Sequence, residues 1–403
     1  MTSTPDVVIG AGPAGLAAAA ELKRRGRSPL LLERADGVGA SWLSRYDSLR
    51  LNTTRWWSQL PGLPIPRSYG TWVSAADYAR YLDAYSRHHD LEVRCGIAAE
   101  RITAAGAAWV VHTSAGPLQA ANVVVATGYD REPFIPPWPG REGFTGELFH
   151  SSDYRNPRRF VGKSVLVVGP GNSGTDIAVD LARGGASQVW LSIRTPPQIV
   201  PRTVSRIPVQ TVAVAARPLP AWVGDSIVRL LQRLTHGDLS RFGVPRAEEA
   251  VSAKFARDDV VPVIDVAFVR ELRRGTLRAV PAVEAFDGPR VLLANGSHLT
   301  PDVVVSATGY RRALEPLVGE LAVLDERGRP TARKVPGLFF AGYTNPLSGN
   351  LRELGIEARE IAREIVRGSA VQRHSPRTPM SGGYERHAAR STLEKVGPGS
   401  RRD

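Results

Sequence analysis

Two glycine-rich turns of one kind stand 159 residues apart, and they constrain the fold of this chain more than any other feature. The first, VVIGAGPAGLAAAA, sets Gly10, Gly12, Pro13, Ala14 and Gly15 between an apolar strand and an alanine-rich helix. The second, VLVVGPGNSGTDIAV, sets Gly169, Gly171, Asn172, Ser173 and Gly174 in the same setting. Glycine serves a different purpose at each place: a tight turn, close approach to a pyrophosphate, and close packing of helix on strand. The helix start then offers free N–H groups and a positive dipole end to phosphate. One such motif is weak. Two predict an α/β protein with two Rossmann-like dinucleotide-binding domains, and two dinucleotides in one chain imply electron transfer between them.

At 403 residues the chain has room for two domains with separate cores. Apolar strands ending in Ala-Thr-Gly occur at 126–128 and again at 307–309. They mark two crossings between domains, so the second unit is inserted into the first. The expected division is 1–155 with 305–370 for the first domain and 156–304 for the second. Residues 371–403, with seven basic side chains against three acids among Ser, Pro and Gly, read as a disordered basic tail.

The net charge of +13 comes almost wholly from arginine, 47 of 52 basic residues, with no clustered reading element for nucleic acid. Cys95 is the single cysteine, so neither a disulfide framework nor a C-x-x-C redox pair can form within the chain. It reads as a small buried hydrophobe. There is no signal peptide and no run near the roughly 20 apolar residues of a membrane span, which predicts a cytoplasmic protein. No metal site is expected.

Glu33 ends the PLLLE strand 18 residues after Gly15, where an acid can accept both hydroxyls of an adenosine ribose. Arg34 adjoins it, and the loop through Gly39 to Trp42 can run beside a bound cofactor. Tyr78, Tyr81, Leu82 and Tyr85 at helical spacing predict an amphipathic helix over about 75–88 that packs its aromatics in the core. Asn52 is either a turn-stabilising residue or a donor and acceptor at a flavin edge. Gly128, Thr308, Gly309 and Gly342 sit in glycine turns beyond strand ends and belong to the expected cofactor walls. Trp222, Val223, Ile227, Leu230, Leu231 and Leu234 share one helical face, read as a lid over the substrate entry or as packing.

The stretch FTGELFHSSDY sets Phe144, Gly146, His150 and Tyr154 in the F-x-G-x-x-x-H-x-x-x-[Y/F] pattern of flavin-containing monooxygenases, just before the second glycine turn. Tyr154 replaces the Trp of Baeyer–Villiger enzymes. Over roughly residues 5–368 the chain resembles the YUCCA-type enzymes, which act on indole-3-pyruvate. HGDLSRFGVPR at 236–246 and PVIDVAFVRELRRGTL at 262–277 resemble their counterparts there, while 205–235, where such enzymes line their substrate pockets, departs most.

The resemblance implies FAD at the first turn and NADPH at the second. Hydride would pass from NADPH to FAD, whose reduced ring would take up oxygen at carbon 4a as a (hydro)peroxide. One oxygen atom would then enter a small organic substrate, by decarboxylation of an aromatic α-keto acid or by N- or S-oxygenation. Ser192 and Arg194, where an acid would exclude it, suit a 2′-phosphate. Asn52 matches the family asparagine at the flavin–oxygen site. His150 would chiefly fix the interdomain linker, and Arg202 or Arg206 could pair with a substrate carboxylate. Partners would be substrate and O2, with a homodimer compatible. The alternatives are a flavin oxidoreductase feeding a quinone or protein acceptor, and a non-catalytic redox sensor.

Overall fold

The computed structural model describes residues 4–374 apart from 217–218, 259–260, 332, 334, 345 and 347. It contains two five-stranded sheets, each wholly parallel. In the first, the order is Leu338–Phe340, Asn122–Val125, Asp6–Ile9, Pro29–Leu32 and Glu92–Arg94. In the second, it is Arg278–Pro281, Gln188–Ile193, Ser164–Val168, Val303–Ser306 and Glu147–His150. The central strands, VVI and VLVV, are apolar along their length because both faces are covered.

The polyalanine stretch of the first glycine helix, Pro13–Lys23, has a packing reason. Ala17 to Ala20 are at most 1% exposed, and the helix lies between its sheet and the closing helix Asn350–His374, which meets it with Ala358 and Ala362. Small side chains allow that close approach. The tyrosine helix is Ala75–His88, with Ser74 accepting from the Asp77 amide as its N-cap. Tyr78, Tyr81 and Tyr85 are fully buried and each reaches a backbone carbonyl, of Ser58, Leu63 and Pro61 respectively. The hydroxyl tips let aromatic bulk enter a core without orphaned polar atoms.

The chain leaves the first sheet at Val125 and returns after Ser306, so both crossings begin at Ala-Thr-Gly as the repeat suggests. The crossing strands Glu132–Pro133 and Tyr310–Arg311 pair antiparallel. The edge strand Glu147–His150 belongs to the second sheet, upstream of the boundary expected at 155, and Val303–Ser306 lies inside that sheet. The FTGELFHSSDY stretch is the reason. Phe144 packs on Phe286 at 5.2 Å, and a Cβ on Gly146 would stand 2.7 Å from the Asp302 carbonyl. Tyr154 is buried, stacked on Phe160 and bonded to Asp180 at 2.8 Å.

Three expectations are corrected. Cys95 is exposed rather than buried, because the strand Glu92–Arg94 is a sheet edge. The apolar face of the helix Ala221–Thr235 is not absorbed by packing: Trp222, Leu230 and Leu234 are 69%, 56% and 74% exposed. The closing helix continues to His374, into the segment read as tail, and residues 375–403 lie outside the described ones. Among the described residues no helix is long and apolar enough to cross a membrane.

Candidate active site

Each glycine turn opens into a cavity of about 570 Å3. The two turns are built alike. Gly10 and Gly169 have φ of +108° and +109°, and a Cβ on either would stand 2.4 or 2.5 Å from the carbonyl of Ala126 or Ala307. A Cβ on Gly15 or Gly174 would lie 1.9 Å from the carbonyl of Gly10 or Gly169. Gly12 and Gly171 meet nothing within 4 Å and face the open cavities. The tight turn and the close packing read from the motif therefore fall on the same glycines in both units, while Gly12 and Gly171 leave open space.

The first cavity is walled by Gly10, Gly12, Pro13, Ala14, Glu33, Arg34, Trp42, Gly128 and Gly342, all expected there. The Glu33 carboxylate accepts from the amides of Ala11 at 2.8 Å and Ala35 at 3.0 Å, which hold it at the wall. The sequence did not single out Arg45, Tyr46, Arg131, Tyr310 or Asn350, which complete the wall because the fold brings distant loops together. Burial, with Arg34 beside it, lowers the affinity of the Arg131 guanidinium for its proton. Two crowded cations on the wall that also carries the Pro13 helix start suit a pyrophosphate. Asn350 opens the closing helix, and its Oδ1 is buried with no partner among the described residues, as a site for a polar ligand requires.

The second cavity is walled by Gly169, Gly171, Ser192, Arg194, Thr308 and Gly309. Ser192 is buried and donates to the Pro281 carbonyl, whereas Arg194 is exposed at the rim. Lys254 was not foreseen. Its Nζ donates to the Pro196 carbonyl at 2.6 Å, and burial lowers its affinity for a proton. It stands in the inserted region, away from any motif, so no local signal marks it.

The two cavities meet at the helix Asn172–Arg183. Gly171 lines the second and Ser173 the first. Between them Asn172 Oδ1 accepts from Asn52 Nδ2 at 3.2 Å and from the Ile264 amide at 2.8 Å. Asn52 thus lies at the junction of the two units, off the wall of the first cavity. His150 also lies off both walls. Its Nδ1 accepts from the Ser152 amide, so Nε2 carries the hydrogen and donates to the Gly309 carbonyl at 3.0 Å. Burial lowers its pKa and keeps it neutral, a fastener of the crossing loop. Arg202 donates to the Leu51 carbonyl and lies 4.0 Å over the Trp72 ring. Burial lowers its pKa to about 10, and its Nε is buried without a partner among the described residues. Arg206 is a loop residue at φ +69° with no cavity wall of its own. A larger groove, about 1300 Å3, runs along Trp109, Tyr343 and Glu364 and contains none of the glycine-turn residues.

Paired dinucleotide cavities of this form define a class of two-cofactor oxidoreductases. The chain belongs to the pyridine nucleotide-disulphide oxidoreductase family, whose profile matches residues 7–209. It is 35% identical over 373 residues to indole-3-pyruvate monooxygenase YUCCA1 of Oryza sativa subsp. japonica, covering 89% of this chain and 90% of that one. It is 30% identical over 379 residues to the probable indole-3-pyruvate monooxygenase YUCCA8 of Arabidopsis thaliana, covering 89% and 88%. The flavin-containing monooxygenase from Stenotrophomonas maltophilia superposes with a TM-score of 0.68 at 26% identity, over 92% of this chain and 100% of that one. The disulfide branch of the family needs a dithiol, which a chain with one cysteine lacks. The protein is accordingly a flavin-dependent monooxygenase, FAD and NADPH are its cofactors, and its reactants are a small molecule and O2. The residues of both cavities fit these groups.

Proposed function

We propose that this enzyme spends NADPH to insert one atom of O2 into an aromatic α-keto acid, with loss of its carboxyl group. The observation that carries the two-cofactor part is the junction: Gly171 and Ser173, two residues apart at one helix start, serve the two cavities. The likeness to indole-3-pyruvate monooxygenases favours an acidic substrate, and Arg202, a half-buried guanidinium beside the Asn52 loop, is the cation proposed to meet its carboxylate. A charge-assisted bond from it to a carboxylate is worth about 1.5–3 kcal/mol.

In this reading bound FAD supplies hydride acceptance and oxygen activation, and the protein supplies position and dryness. Glu33 holds the adenosine ribose. Gly12 leaves room for the pyrophosphate against Arg34 and Arg131, and Asn350 offers its carboxamide oxygen to an N–H or O–H of the cofactor. Arg194 and Lys254 hold the 2′-phosphate of the nicotinamide cofactor. Asn52 presents a carboxamide at the junction, where a donor and an acceptor are both needed. His150 keeps the crossing loop in place through its bonds to Gly309 and Ser152.

The test is anaerobic reduction of the yellow protein with NADPH, then mixing with 18O2 and indole-3-pyruvate. One labelled oxygen in a decarboxylated product, with NADPH and product in equal amounts, is expected. Quantitative hydrogen peroxide with untouched keto acid would remove this substrate class. Failure of NADPH to bleach the flavin would remove the two-cofactor reading itself.

A further inference from the structure

Gln210 lies in the helix Val209–Ala216, part of the inserted region, and it is only 5% exposed. A buried carboxamide must satisfy an acceptor and two donors or lose free energy. Both ends of this one are used across the two units. Oε1 accepts from the Thr54 amide at 2.9 Å, and Nε2 donates to the Ser348 carbonyl at 3.0 Å. Contact is close enough that a Cβ on Gly349 would stand 2.6 Å from Nε2, so this place is shaped to the amide.

The two main-chain partners matter for where they lead. Thr54 is fully buried and stands two residues after Asn52, whereas Ser348 stands two residues before Asn350. Asn350 begins the closing helix on the wall of the first cavity. The Leu51 carbonyl, at the other end of the Asn52 loop, is held by Arg202 from the same inserted region. The loop 51–54 is therefore gripped at each end by the inserted segment and in its middle by Asn172.

We propose that Gln210 is a positioning residue for oxygen transfer, a two-ended clip that fixes the Asn52 loop relative to the Asn350 helix start. It acts through those loops and touches no reacting atom. This rests on the monooxygenase reading of the two cavities. Without the clip, Asn52 and Asn350 move independently, and oxygen activated in the first cavity escapes as hydrogen peroxide rather than reaching substrate.

Two variants of the full-length holoenzyme test this. Gln210→Met keeps the volume and removes both bonds. Gln210→Glu keeps the acceptor for Thr54 and, while ionised, sets a carboxylate against the Ser348 carbonyl; protonated, it donates there as glutamine does. Hydrogen exchange read by mass spectrometry, with and without FAD, is expected to quicken at least tenfold over 50–55 and 346–350 in Gln210→Met. Exchange at 6–9 and 164–168 should stay as in the parent. Peroxide released per NADPH, with indole-3-pyruvate present, should rise several-fold while anaerobic flavin reduction by NADPH stays within twofold. In Gln210→Glu both changes should shrink as pH falls from 8 to 6, measured against the parent at each pH. Parent-like exchange at 50–55 in Gln210→Met would overturn the clip, as would equal disturbance of both variants at every pH. If Gln210→Met fails to fold, Gln210→Glu at the two pH values decides alone. A parent enzyme that takes up no oxygen with NADPH would overturn the functional reading, and the exchange data would still judge the clip.

Discussion

At the scale of single residues, glycines that look alike in sequence have separable purposes, and the difference is measurable. In Gly15→Ala the new methyl meets the Gly10 carbonyl at 1.9 Å, a main-chain collision that no side chain can relieve. The expected cost is about 3 kcal/mol or more, the upper range of overpacking, read by urea denaturation. Gly12→Ala meets nothing and should unfold with the parent, yet bind FAD at least tenfold more weakly by titration of apoprotein. Equal losses of stability in both variants would contradict this division. Arg194, exposed at the rim of the second cavity, should govern the choice of nicotinamide cofactor. Arg194→Ala is expected to lower kcat/KM for NADPH about tenfold or more while leaving NADH within twofold, since a charge-assisted bond to phosphate is lost. A parallel fall for both would place Arg194 outside the phosphate site.

At the scale of elements, the helix Asn172–Arg183 joins the units at a cost that pH reveals. Asp176, on this helix, accepts from the Tyr46 hydroxyl at 3.1 Å, and burial lifts its pKa to about 6 from the usual 3.8. The folded state therefore holds a proton that the unfolded chain has released between those values. Stability is full below pH 3.8 as far as this group is concerned, and falls as pH rises through 6. The loss is at most about 3 kcal/mol, two pKa units at 1.36 kcal/mol each. Asp176→Asn keeps an acceptor for Tyr46 and cannot ionise. Its unfolding free energy should exceed the parent's at pH 8 and approach it at pH 4, by chemical denaturation. A difference that is constant with pH would show that Asp176 does not titrate in this range.

At the scale of the whole molecule, two parallel sheets share one helix start, two crossing strands and a clipped loop, so cofactor occupancy and stability are linked. A ligand bound only to the folded state at a hundredfold excess over its Kd adds about 2.7 kcal/mol. Removing FAD should lower the Tm by several degrees, and adding it back should restore the loss, followed by scanning calorimetry. NADP+ should add a further rise that Arg194→Ala abolishes. An apoprotein that melts with the holoenzyme would separate the first cavity from the flavin.

The sequence alone determined what depends on local backbone and near neighbours. Both strand–glycine–helix turns, the tyrosine helix and the repeated Ala-Thr-Gly crossings are of this kind, because a missing Cβ, a 3.6-residue period and a strand end are local facts. Glu33, Arg34 and Trp42 follow in the same way, at fixed distance from the first turn. Tertiary structure decided the rest. Cys95 is exposed because its strand became an edge, and Asn52 faces Asn172 because two units separated by 120 positions dock there. Lys254, Asn350 and Gln210 carry no signal in sequence, since a lone polar side chain gains meaning only from what surrounds it. Burial removes the water that would otherwise satisfy such a group, and only the completed fold says which partner replaces it.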